Sequence, residues 1–282
     1  MTRELDVRLP DGRTLHAYDT GPEDAPHVVV WHHGTPNIGT PPQPLLATAH
    51  RLGVRFVSHD RPGYGGSTAA PGRTVGSAAA DTGAVADALG VERFATFGHS
   101  GGGPHALACA ALLPDRVTAV VSGAGLAPYA AHGVDGFDWF DGMAASGVAS
   151  LRAAAAGRAA KEAHEASGAA YDPEFTAADL DALHGEWSWF DSVVGPAAAG
   201  GPGPLIDDDL AYVAPWGFDV ADVRAPVLLL HGAEDRVVPP SHARWLAAHL
   251  PRARLRVVPG AGHISVLTAA ADALAWVVDP TA

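Results

Sequence analysis

Gly98-His99-Ser100-Gly101-Gly102 places a serine among small neighbours. Glycines there suit a tight turn from a strand into a helix, because the backbone is too crowded for a Cβ at the flanking positions, and such a turn lifts the hydroxyl clear of the sheet. A serine hydroxyl is a weak nucleophile at neutral pH. It needs a base to take its proton and an acid to orient that base. Both types follow in glycine-marked stretches, His231-Gly232-Ala233-Glu234-Asp235 and Pro259-Gly260-Ala261-Gly262-His263. The order Ser100, Asp235, His263 is that of a nucleophile elbow with its acid and base, and Asp235 is preferred to the adjoining Glu234 as the acid. A fourth stretch, His33-Gly34-Thr35-Pro36, could complete the site. The oxyanion formed when a serine attacks an acyl carbon is held by backbone N–H groups, one following the nucleophile and one from a loop after an earlier strand. Gly101 and Thr35 are the expected donors, since Pro36 has no N–H.

Each of these stretches follows an apolar run that reads as a strand or lies beside one. Runs at 27–31, 54–58, 94–97, 117–121, 226–230 and 255–258 are short and rich in Val, Leu or Phe, as buried parallel strands are. Between them, 77–89, 102–113, 241–250 and 265–278 carry helix formers with Gly or Pro at their ends. Residues 5–9 and 14–19 around Asp11-Gly12 read as an edge hairpin. The alternation predicts an α/β fold with a mostly parallel sheet flanked by helices on both faces. G-x-S-x-G alone is a weak signal in a chain with 33 glycines, and its place between a strand and a helix makes it specific.

The interval from Val121 to Val227 is far longer than the roughly 30 residues a strand–helix–strand unit needs. Residues 128–215 therefore read as an inserted helical cap, with 1–127 and 216–282 forming the core. Helical stretches are expected at 143–165 and 176–184, and a loop at 195–204. Trp139, Phe140, Trp187, Trp189 and Phe190 are expected to line an apolar substrate pocket. Asp207-Asp208-Asp209 reads as a solvated turn or helix start.

Composition narrows the chemistry further. Across 282 residues, 18 Lys+Arg against 31 Asp+Glu give 18 − 31 = −13, with no basic run to neutralise phosphates, so nucleic-acid binding through a charged surface is not expected. A basic membrane-surface helix is excluded for the same reason, and no run approaches the ~18 apolar residues of a membrane span. The first 15 residues lack the apolar stretch of a secretory leader, and a cytoplasmic protein is expected. One cysteine, Cys109, excludes an internal disulfide and a Cys-based metal site. None of the 15 histidines falls in a metal-ligand spacing, so no metal is expected. The only lysine, Lys161, follows Ala160, which rules out a Walker motif.

With Asp60-Arg61-Pro62-Gly63-Tyr64-Gly65-Gly66-Ser67 and Gly103-Pro104 added to the stretches above, nearly the whole chain resembles the capped α/β-hydrolase-fold enzymes that include esterases, cofactor-free haloperoxidases and proline iminopeptidases. The resemblance implies a Ser100 nucleophile, a His263 base, an Asp235 acid and no cofactor. Fold relatives with an aspartate at the elbow, the epoxide hydrolases and haloalkane dehalogenases, are disfavoured by Ser100. The expected activity is hydrolysis of a carboxylic ester or related acyl bond in a small-molecule substrate by water. An iminopeptidase-like aminopeptidase, binding a free amine through Glu186, Asp191 or Asp207, is the alternative, as is a ligand-binding protein of the same fold.

Overall fold

The computed structural model describes residues 2–280. Eight strands form one sheet: β1 (Arg3–Arg8), β2 (Thr14–Asp19), β3 (His27–His32), β4 (Val54–His59), β5 (Phe94–His99), β6 (Val117–Gly123), β7 (Val227–Gly232) and β8 (Ala253–Val258), in the order β1-β2-β4-β3-β5-β6-β7-β8. The β1–β2 hairpin pairs Arg3 with Asp19 and Arg8 with Thr14, and β2 meets β4 antiparallel. All other pairings are parallel.

Alternate residues of the central strands enter two different apolar layers, as the two-residue period of a strand requires. Val30, Val57, Val120 and Leu229 face one layer together with Val85 of α2 (Ser77–Ala88), Leu107 of α3 (Gly102–Leu112) and Leu246 of α9 (Pro240–His249). Val29, Phe56, Phe97, Val121 and Leu230 face the other, with Ala49 of α1 (Leu46–Leu52) and Leu274 of α10 (Ala270–Val278). Strands buried on both faces read as continuous apolar runs, which is why the sequence marks them so well. β8 departs from that expectation. It is the sheet's edge, and Leu255 is exposed there.

Strand order turns at β3: the chain steps to β4 on one side and to β5 on the other. The helices that follow β3 and β5, α1 and α3, pack on opposite faces of the sheet, and a turning point of this kind is where α/β sheets seat ligands. Thr35 and Ser100 lie on the loops leaving β3 and β5.

The chain between β6 and β7 is helical and contains no strand. It includes α4 (Ala145–Ala155), α5 (Arg158–Ala166), α6 (Ala177–His184), α7 (Asp191–Ala198) and α8 (Gly203–Val213). The stretch at 143–165 is two helices broken at Gly157, whose φ of +107° suits a residue without a Cβ. The expected loop at 195–204 is largely helix: α7 runs through Pro196 and α8 starts at Gly203. Among the described residues no helix is long and apolar enough to cross a membrane.

Candidate active site

β5 delivers Ser100 into a turn with φ +54°, a left-handed conformation that costs a non-glycine residue energy and persists only where the surroundings impose it. The constraints are visible. The Ser100 N–H donates to the Gly123 carbonyl at 2.8 Å and its carbonyl accepts from Gly103 N–H at 2.9 Å. A Cβ on Gly98 would overlap the Gly102 carbonyl, and one on Gly102 the His32 carbonyl, so the turn needs both glycines.

The loops after β7 and β8 bring the other two residues to it. Ser100 Oγ lies 2.9 Å from His263 Nε2, and His263 Nδ1 lies 2.8 Å from Asp235 Oδ2. Asp235 Oδ1 also accepts the Val237 and Val238 N–H groups at 2.9 Å each. Burial alone would push the Asp235 carboxyl up, but the His263 ring and the hydrogen-bonding His231 and His263 side chains hold it well below the ordinary carboxylate range. An ionised Asp235 accepts from Nδ1–H, which leaves Nε2 unprotonated and able to take the serine proton. Glu234, the neighbouring candidate, is exposed.

His263 is held by its backbone as well. Its carbonyl accepts from His99 Nε2–H at 3.0 Å and its N–H donates to Asp179 Oδ2 at 3.2 Å. Burial, and next the His263 ring, push the His99 imidazole down to about 3, so it is neutral. Asp179 sits in α6, capped by a reciprocal Thr176–Asp179 pair. The same carboxylate accepts from Ile264 N–H at 2.9 Å, from Ser265 N–H at 2.7 Å and from Ser265 Oγ at 2.7 Å. Burial would raise its pKa, and the bonds from Ser265 and the neighbouring amides reverse that, leaving it lowered. A Cβ on Gly262 would overlap the Asp179 carboxylate, which explains the glycine before His263.

Thr35 and Gly101 also meet. Tyr212 of α8 donates its hydroxyl to the Gly101 carbonyl at 3.1 Å and sits 2.7 Å from Thr35 Oγ1, and a Cβ on Gly101 would collide with both side chains. Thr35 Oγ1 donates to Asp208 Oδ2 at 2.6 Å. Asp208 accepts from Arg61 at 2.7 and 3.1 Å and from Tyr64 at 2.9 Å, and pairs with Arg73 at 2.6 Å. Arg61 also donates to the His33 carbonyl, and to that of Gly34 at 2.9 Å. Burial would raise the Asp208 pKa, but Arg61 and Arg73 hold it well below the carboxylate range.

The three consecutive aspartates are thus neither a turn nor solvated. They lie inside α8 and are buried, each toward a different cation: Asp207 to Arg158, Asp208 to Arg61 and Arg73, Asp209 to Lys161 at 2.6 Å. Lys161 is fully buried and also reaches Glu165 at 2.6 Å. A surface charge run and a buried ion-pair row look alike in sequence. Here the cations lie far along the chain, Arg158 49 residues from Asp207 and Arg61 147 from Asp208, out of reach of any local pattern.

The five aromatic residues expected to line a pocket do not form one wall. Trp139 donates its indole N–H to the Ala127 carbonyl at 2.8 Å, packs its ring 5.0 Å from that of His242, and with Phe140 joins one apolar layer. Trp187, Trp189 and Phe190 join the other. Phe190 reaches the site, its ring 5.8 Å from His99, whose own ring is 5.1 Å from His263.

Residues 27–270 match the family model of the alpha/beta hydrolase fold, and the chain belongs to that family. It is similar to a non-heme chloroperoxidase of Streptomyces lividans, with 31% identity over 265 residues, 91% of this chain and 92% of that one. Similarity to a pimeloyl-(acyl-carrier protein) methyl ester esterase of Aromatoleum aromaticum is local: 38% over 84 residues, 30% of this chain and 32% of the esterase, so the match spans about a third of that relative's length. A bromoperoxidase structure from Bacillus anthracis superposes with a TM-score of 0.72 at 19% identity, over 98% of this chain and 99% of that one, which shows the shared fold. The protein is an enzyme of the α/β-hydrolase family.

Proposed function

We propose that the enzyme hydrolyses a carboxylic ester or related acyl compound through an acyl-enzyme on Ser100. The observation that carries this reading is the unbroken relay from a serine at φ +54° through His263 to a buried, ionised Asp235, with distances of 2.9 and 2.8 Å. His263 Nε2 takes the hydroxyl proton as Oγ bonds to the acyl carbon, and Asp235 stabilises the imidazolium that results. The oxyanion is held by the Gly101 and Thr35 N–H groups, on the two loops that Tyr212 and Asp208 fix beside each other. Nε2–H then protonates the departing alcohol. A water gives its proton to Nε2 as its oxygen attacks the acyl-enzyme, and the acid leaves as Ser100 recovers its proton.

Residues 128–215 act as the cap over this site, with Phe190 placing an apolar ring beside it. The carboxylates that an aminopeptidase would turn toward a substrate amine are disposed otherwise: Glu186 and Asp191 are exposed, and Asp207 is paired with Arg158. That supports ester over amine-bearing substrates.

A serine-directed fluorophosphonate should label Ser100 alone, read by peptide mass mapping. Ser100→Ala should lower kcat for p-nitrophenyl esters by on the order of 10⁶-fold. Label elsewhere, or a prolyl arylamide turned over faster than every ester of a chain-length panel, would overturn the reading.

A further inference from the structure

We propose that Asp179 is a positioning residue for His263, holding the base in place through its backbone while Asp235 orients its ring. The proposal rests on the acyl-transfer reading above. His263 has four polar groups and all four are engaged: Nε2 with Ser100, Nδ1 with Asp235, the carbonyl with His99 and the N–H with Asp179. The two ring contacts are the expected ones. The two backbone contacts form a second clamp at right angles in purpose, since they fix where the ring is hung and not how it is turned.

Asp179 is built for that task. One carboxylate receives three successive amides, those of His263, Ile264 and Ser265, together with the Ser265 hydroxyl and the Thr176 amide. Ser265 Oγ in turn accepts the Gly262 N–H at 2.8 Å, so the bonds span the whole turn that carries the base. Successive amides converging on one anion at the start of a helical turn make a rigid cradle, and Ser265 begins such a turn, Ser265–Ala269. No ion pair to Asp179 occurs among the described residues, which leaves these hydrogen bonds as what its buried charge is for. The carboxylate comes from the segment between β6 and β7, 84 residues from His263, so that segment supplies part of the catalytic framework as well as covering it. Displacing a catalytic group by about 1 Å can cost 10²-fold in rate.

The test compares Asp179→Asn with Asp219→Ala, which removes a helix cap, that of Val220–Asp222, outside the candidate site. Four quantities are read: Tm, kcat and KM for a p-nitrophenyl ester, and the low-field proton resonance of His263 Nδ1–H. Asp179→Asn should lower kcat by about 10²-fold with KM little changed, and should shift or broaden the resonance, because an amide cannot accept from all of these donors. Asp219→Ala should lower Tm and leave kcat and the resonance as they are. If Asp179→Asn loses Tm alone, or if Asp219→Ala costs as much kcat, the proposal is overturned. Should Asp179→Asn fail to fold, Ser265→Ala removes one donor to Asp179 together with the acceptor of the Gly262 N–H, and should lower kcat about fivefold while moving the same resonance. An unmoved resonance and unchanged kcat in that variant would overturn the proposal equally. A resonance that responds to Asp179→Asn in a protein that turns over no ester leaves the positioning role standing and removes the ester reading.

Discussion

Two carboxylates of the segment between β6 and β7 reach into the candidate active site, and they are held in opposite ways. Asp179 at the α6 end is held by hydrogen bonds from amides and the Ser265 hydroxyl, and it touches the loop that carries His263. Asp208 at the α8 end is neutralised by two buried guanidinium groups, and it touches the loop that carries Thr35. Amides fix direction and are satisfied by any well-placed acceptor; guanidinium groups carry net charge that must be balanced wherever water is excluded. The α6 contact therefore governs geometry, and the α8 contact governs whether this side of the molecule holds together.

The largest expected difference is in stability. Asp208→Ala leaves Arg61 and Arg73 buried without their anion, at a cost of about 3–5 kcal/mol and a fall in Tm on the order of 10 °C. Asp179→Asn should cost clearly less Tm, and a calorimetric scan showing the reverse ranking would break the comparison. Acid should sharpen it. At the α8 end, burial and then the Arg61 charge hold His33 well below its ordinary pKa and His105 at about 3. Nearby, burial together with the charges of Arg61 and Arg13 brings His59 to about 4, against the opposing pull of Asp81. Each such histidine is neutral when folded and protonated when unfolded between its folded pKa and about 6.5, so the unfolded state binds more protons there and stability falls as pH falls. The slope reaches ~1.4 kcal/mol per pH unit for each histidine. Tm should accordingly drop from about pH 6.5 downward, before either aspartate titrates. Native-state hydrogen exchange should show amides around Thr35 and His105 opening ahead of those at 263–265; the opposite order would count against charge as the weak point. The smallest effect is expected from Tyr64→Phe. It removes one hydrogen bond from Asp208 but leaves both arginines paired, so a loss of about 1 kcal/mol should appear in denaturant titration.

The same contrast explains what could be read in advance. Ser100 and His263 announce themselves because their turns demand glycine at fixed neighbouring positions, whereas nothing local in the sequence states that Asp235 is buried and the adjoining Glu234 exposed. The five inner parallel strands are legible because burial on both faces forces uninterrupted apolar runs. β8 is legible as a strand and misread as buried, since nothing local states that a strand ends a sheet. Asp179 and Asp208 stayed hidden because their partners are remote. Thr176-x-x-Asp179 is a capping-box pattern, and a capping box accounts for the aspartate so completely that a second role leaves no trace. Asp208 hides in a triplet whose one unusual feature is its setting among apolar helix residues, Leu205-Ile206 before it and Leu210 after it.

Lys161 gives the enzyme an internal reporter. It is the chain's only lysine, fully buried between Asp209, Glu165 and Ser150 where α4, α5 and α8 meet. Its ε-amine meets an acylating reagent only when those three helices part, so the pace of its modification is a clock for that one local opening, set by the population of the open form when reclosing is fast. Few proteins allow a single covalent event to be assigned to a single movement. In this one, the charges that tie α4, α5 and α8 together hold the one lysine of the sequence, so no other lysine competes for the label.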